Sequence, residues 1–159
     1  MSGVTSTQLG AAAPGGGALV KRPKGAGYAR RSPTGHRVAR TVVLVKEDDP
    51  KDINYHALAE NWERIGGLRL EDGSKPEVVA LPMPGPLYFD GDRLPASYAN
   101  FYVSNAAVLV PTFNDPNDRV ALGILGELFK DRMVVGVHAV DLVLGFGTLH
   151  CLTQQQPAA

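Results

Sequence analysis

From Thr41 onward, short β-branched apolar runs alternate with segments whose apolar residues recur every three or four positions. This alternation constrains the chain more than any other feature, because strands linked by helical crossovers define an α/β fold. Thr41–Val45 (Thr-Val-Val-Leu-Val) is a continuous apolar run and predicts a buried strand. Glu47-Asp48-Asp49-Pro50 stops it, and Asp52 is placed to cap a helix. Ile53, Ala57, Leu58, Trp62 and Ile65 give residues 53–65 a helical period, which Gly66-Gly67 ends. His56 falls on the solvent side of that helix with Glu60 and Glu63, and Trp62 on its core side. Glu77–Leu81 predicts a second strand, closed by Pro82, Pro84 and Pro86.

The second half follows a related plan. Tyr98, Phe101, Tyr102 and Val103 suggest a strand, joined through Ser104-Asn105 to another at Ala106–Pro111 as a hairpin. Asn114-Asp115-Pro116-Asn117 is a turn leading into a helix, with Asp115 as cap and Pro116 in the first turn. Val120, Leu122, Ile124, Leu125, Leu128 and Phe129 bury one side of it. Met133–Val137 predicts a further strand, Asp141–Leu144 a short element of unassigned type, and Gly147–Thr153 a last strand. The order is β-α-β, then β-β-α-β-β, an incipient repeat without sequence identity behind it. Asp115 and Asp118 read as turn and cap residues rather than a metal pair.

The first forty residues are a different material. They hold seven basic side chains and no acidic one, leaving nine basic and sixteen acidic side chains in the remainder. Residues 1–35 are rich in Gly, Ala and Pro and predict a disordered segment, which cannot bury enough apolar surface to offset its ordering entropy. It has no long apolar core of the secretory type, and a cytoplasmic location is expected. The chain as a whole is electrically neutral, which argues against nucleic acid or anionic lipid as a partner. Its longest apolar run, Ala106–Val110, is far too short to span a membrane. A single Cys excludes an internal disulfide and any Cys-only zinc site.

That Cys lies in the most informative stretch, Gly145-Phe-Gly-Thr-Leu-His150-Cys151-Leu-Thr153-Gln-Gln155-Gln. A thiolate is a strong nucleophile, and Gly145 and Gly147 would let backbone approach a ligand closely. On a strand, Thr153 and Gln155 would share a face with Cys151, while His150 would point the other way. A base for Cys151 is therefore sought at His36, His56 or His138. Taken alone, the residues favour an inert thiol, since a lone Cys usually packs as a small hydrophobe. The glycine pattern before His150 lacks a third Gly and runs into a strand, so a dinucleotide site is excluded.

Three motifs carry a resemblance. They are Leu94-Pro-Ala-Ser-Tyr-Ala-Asn-Phe-Tyr102, Val110-Pro-Thr-Phe-Asn-Asp-Pro-Asn-Asp118, and Gly145-x-Gly-x-x-His150-Cys151-x-Thr153-x-Gln155-Gln-Pro157. With them, residues 36–157 resemble the C-terminal part of the agmatine deiminase family, also called Porphyromonas-type peptidylarginine deiminases. The resemblance implies part of a pentein-type α/β propeller, a ring of ββαβ units around a central site. It implies hydrolysis of agmatine to N-carbamoylputrescine and ammonia, a step of polyamine synthesis, without metal or cofactor. Cys151 would attack the guanidinium carbon and form an amidino-thioether that water releases. A His in a Gly-His-x-Asp pattern would serve as acid and base, and carboxylates would hold the guanidinium. The implied partner is a small guanidine, and a homo-oligomer is compatible with the resemblance.

The chain departs from that pattern in one respect. Gly35-His36 matches the Gly-His, but Val38 stands where the Asp is expected and Arg37 brings a repelling charge. The acidic substrate ligands of the family have no match upstream. The chain therefore reads as a C-terminal fragment, expected to be inactive by itself. Deimination of peptidyl-arginine and a non-catalytic role are the alternatives.

Overall fold

In the computed structural model, residues 40–154 are described. The expected disordered segment, His36 and Gln155 lie outside the described residues. The chain is a mixed α/β structure built from two crossover units. Strand β1 (Thr41–Lys46) leads through helix α1 (Tyr55–Ile65) to strand β2 (Glu77–Pro82), and the two strands pair in parallel from Thr41 opposite Glu77 to Lys46 opposite Pro82. A small hairpin follows, β3 (Tyr88–Phe89) with β4 (Asp92–Arg93), and then a 3-10 turn at Tyr98–Asn100. Strand β5 (Tyr102–Val103) is antiparallel to β6 (Ala107–Thr112), and helix α2 (Asn117–Leu128) crosses over to β7 (Met133–His138), parallel to β6. A second 3-10 turn, Leu142–Gly145, is the last regular element among the described residues.

The local chemistry explains these elements. β1 carries the apolar run Val42–Val45 and is buried on every residue except Lys46, as expected for a strand with both faces covered. In α1 only Leu58 is fully buried; Ala57 and Trp62 are half-buried, and the Trp62 indole donates to the Val45 carbonyl at 3.0 Å. Ile53 lies outside the helix and is 70% exposed, so the apolar face begins later than its spacing suggested. Asn54, not Asp52, takes the cap position. The Asp52 carboxylate instead accepts the Asn54 N–H at 2.8 Å and pairs with Arg93 at 2.7 Å, tying the entry of α1 to β4. His56 is exposed, as its helical position implied.

The hairpin at Ser104 forms as expected, with β6 beginning at Ala107. Ser104 and Ala107 exchange backbone and hydroxyl hydrogen bonds of 2.8–3.0 Å around Asn105 and Ala106. Tyr98 does not belong to the strand. It opens a 3-10 turn whose Ser97 hydroxyl accepts the Ala99 N–H, and Tyr98 itself is completely buried. Helix α2 buries Ala121 and Leu125, while Val120, expected inside, is 49% exposed. The core joins Val43 and Val45 of β1, Leu58, Leu81, Val108 and Val110 of β6, and Leu125 with Phe101, Phe113 and Phe129. Phe101 and Phe129 meet edge to face with centroids 6.1 Å apart.

Candidate active site

The expected last strand does not exist. Residues 149–152 are turns, with the Leu152 N–H on the Thr148 carbonyl at 3.1 Å and the Thr153 N–H on the His150 carbonyl at 3.3 Å. The period-two reasoning that separated His150 from Cys151 and grouped Cys151 with Thr153 therefore fails. Thr153 closes the turn: its hydroxyl donates to the carbonyls of Leu149 and His150 at 3.0 and 3.1 Å. The physical reason is compact packing behind the thiol. A Cβ built on Gly147 would lie 2.7 Å from Cys151 Cβ and 3.0 Å from its Sγ. The backbone doubles back on itself there, and only Gly fits. Gly145 is different, for a Cβ there meets nothing within 4 Å.

Cys151 is exposed at the surface of this turn. Its partner is Asn100, the last residue of the first 3-10 turn. The Asn100 carboxamide oxygen accepts the N–H groups of His150 at 2.8 Å and Cys151 at 3.2 Å. The Asn100 NH2 donates to Cys151 Sγ at 2.9 Å. The Asn100 main-chain carbonyl also accepts the His150 N–H, at 3.1 Å. Sequence reasoning placed Asn100 in a motif but gave no sign of this contact, which spans 51 residues.

The support for Asn100 comes from the second motif. Asp118 Oδ1 accepts the Tyr98 hydroxyl at 2.8 Å and the Phe113 N–H at 3.0 Å, and its Oδ2 accepts the Asp115 N–H at 3.1 Å. Burial, and then the bond to Asp118, push the Tyr98 hydroxyl far above its ordinary pKa, so it stays a protonated donor. Asp115 accepts the Asn117 N–H at 2.8 Å and the Gly85 N–H at 2.9 Å, and the Asn117 amide donates to the Met83 carbonyl at 2.8 Å. Asn114, at φ 59°, makes the left-handed bend that this turn needs. Asp115 and Asp118 thus serve the turn, as their neighbours implied. The cap position of α2, however, falls to Pro116, without a side-chain cap bond, and not to Asp115, whose carboxylate is spent on the N–H groups of the turn and of Gly85. The three motifs form one physical chain: Asp118 to Tyr98, two residues on to Asn100, and Asn100 to Cys151.

Among the described residues, no histidine ring hydrogen-bonds the thiol, and His138 is exposed at the end of β7. No group of three or more His, Cys, Asp or Glu side chains among the described residues could hold a metal ion. No described helix is long and apolar enough to cross a membrane.

The model of the Porphyromonas-type peptidyl-arginine deiminase family matches residues 37–157. The chain belongs to this family. Among curated deiminase relatives, the agmatine deiminase of Pseudomonas fluorescens is 37% identical over 135 residues, a match covering 74% of this chain and 37% of the relative. A crystal structure from Porphyromonas gingivalis superposes with a TM-score of 0.72 at 46% identity, covering 74% of this chain and 35% of its own. The structure of the Enterococcus faecalis agmatine deiminase superposes with a TM-score of 0.70 at 30% identity, covering 76% and 38%. The chain therefore spans little more than a third of the length of the family members it matches. The matched deiminase segment contains all three motifs, and with them Cys151.

Proposed function

We propose that Cys151 is the nucleophile of an amidine hydrolase acting on agmatine, and that this chain contributes the nucleophile-bearing part of a pentein-type ring. One observation carries the reading: the only thiol of a matched agmatine deiminase segment is exposed, on a turn held by a side chain from a second motif. In the proposed reaction the Cys151 thiolate bonds to the guanidinium carbon. The tetrahedral adduct expels ammonia as an acid protonates the leaving nitrogen, giving an amidino-thioether. Water then adds to the same carbon and the thiolate leaves, yielding N-carbamoylputrescine. His36 is proposed for the acid–base role, and Gly145 with Gly147 for the backbone beside the substrate. For Gly147 the support is steric, since it makes room for the thiol.

The same reading makes the isolated chain a poor catalyst. Val38 and Arg37 stand after Gly35-His36 where a carboxylate is needed, and a cationic guanidinium requires carboxylates for a bidentate grip. Loss of a base and its partners costs several orders of magnitude in rate. We take residues 36–157 as the deiminase-like unit and residues 1–35 as a separate segment. A cytoplasmic location suits a lone exposed thiol, which stays reduced there.

Release of ammonia from agmatine, compared between the native chain and C151S, tests the reading. The expected result is release no faster than from C151S. Sustained release that depends on Cys151 would overturn the inactivity. Release from a blocked arginine amide but not from agmatine would instead favour the peptidyl-arginine substrate that the family's description names.

A further inference from the structure

We infer that Asn100 is a positioning residue for the Cys151 thiolate, an inference that rests on the nucleophile role proposed above. A carboxamide offers one acceptor oxygen and one NH2 donor, and here the two ends have separate tasks. The oxygen takes two adjacent backbone N–H groups, those of His150 and Cys151, at 2.8 and 3.2 Å. Those two donors fix which end of the amide is oxygen, so the NH2 end necessarily faces Sγ, at 2.9 Å. One side chain thereby sets the backbone of the turn and supplies a donor to its sulfur.

A donor aimed at sulfur favours the charged thiolate over the neutral thiol, because it stabilises the anion more than the S–H form. The donor is also rigidly mounted. Asn100 ends a 3-10 turn capped by Ser97, and Tyr98, two residues earlier, is completely buried and bonded to Asp118. On the other side lies Gly147, where an added Cβ would come within 2.7 Å of the Cys151 Cβ and 3.0 Å of its Sγ. The sulfur is held between a glycine and an amide, with its outer side open to solvent.

Because Cys151 is the only cysteine, alkylation of the whole chain reads this thiol alone. The test is the rate of iodoacetamide alkylation against pH for the native chain, N100A and N100D, with circular dichroism to verify folding. Loss of the donor in N100A is expected to move the profile to higher pH and to cut the rate at neutral pH by about tenfold. N100D keeps the oxygen acceptors for the two backbone N–H groups, which preserves the turn. It replaces the donor with a negative charge, and a larger upward shift is expected. Midpoints in folded N100A or N100D that match the native chain would overturn the inference. Should N100A fail to fold, N100D decides alone. Iodoacetamide is neutral and carries no guanidinium-like group, so the profile reads thiolate stabilisation only. Failure of the deiminase reading would appear instead as indifference of the thiol to amidine-bearing reagents, with the Asn100 effect on the profile intact.

Discussion

At the scale of single residues, close approach matters more than residue class. Gly145 and Gly147 look equivalent in the sequence, yet only Gly147 of the two lies where a Cβ would collide with Cys151. G147A should destabilise the fold by about 1–3 kcal/mol through overpacking, and should change the rate of Cys151 alkylation, both measurable by thermal denaturation and thiol labelling. G145A should leave both unchanged. A second residue-scale prediction concerns Asp72. The Ser74 hydroxyl and N–H, and then Arg40 at 2.7 Å, hold its carboxyl at about 2, below the ordinary 3.8. Since the folded value is depressed, any stabilisation from this carboxylate is present above pH 3.8 and is lost as the pH falls toward 2. Titration of the Asp72 carboxyl by NMR should show that midpoint, and S74A should raise it. The left-handed Gly73 at φ 78° shapes the turn that brings these groups together.

At the scale of elements, the sequence disclosed the pieces that periodicity controls. β1, α1, β2, β6, α2 and β7 all follow from apolar runs or a three-to-four spacing, because each buries a face against the same core. Short elements escaped. The aromatic residues around Tyr98 favour a strand, whereas the Asp118 partner of the Tyr98 hydroxyl and the Ser97 cap make a 3-10 turn. Gly147–Thr153 has the composition of a strand, but its backbone is turned by local bonds and by close packing at Gly147 that leave no periodic trace. The β3–β4 hairpin, two residues a strand, was not anticipated. The link from Asn100 to Cys151 was illegible for a simpler reason: nothing in a sequence shows a contact between residues so far apart. The Asp118 bond to Tyr98 offers the element-scale test. D118A strands the Tyr98 hydroxyl and two backbone N–H groups, and should cost about 2–3 kcal/mol. Y98F should cost about 1 kcal/mol. The double variant should be less destabilised than the sum of the two by about 1 kcal/mol, as thermal or denaturant unfolding would show.

At the scale of the whole molecule, the chain comprises one complete ββαβ unit, β5 to β7, and a β-α-β unit before it. Among the described residues its sheets have two and three strands, so strands β1, β2, β5 and β7 have no second neighbour there. Its matches extend over little more than a third of the deiminases compared. Under the proposed function, the chemistry at Cys151 can be read separately from turnover. The decisive measurement is therefore of bond formation at sulfur rather than of product. It is the ratio of the second-order rates with which Cys151 reacts with chloroacetamidine and with iodoacetamide, set against the same ratio for glutathione. The proposed role of Cys151 predicts a ratio about tenfold above the glutathione value, equivalent to about 1.4 kcal/mol of preference. A ratio equal to that of glutathione, in a chain whose folding is verified, would contradict the assignment of Cys151 as a guanidine-directed nucleophile.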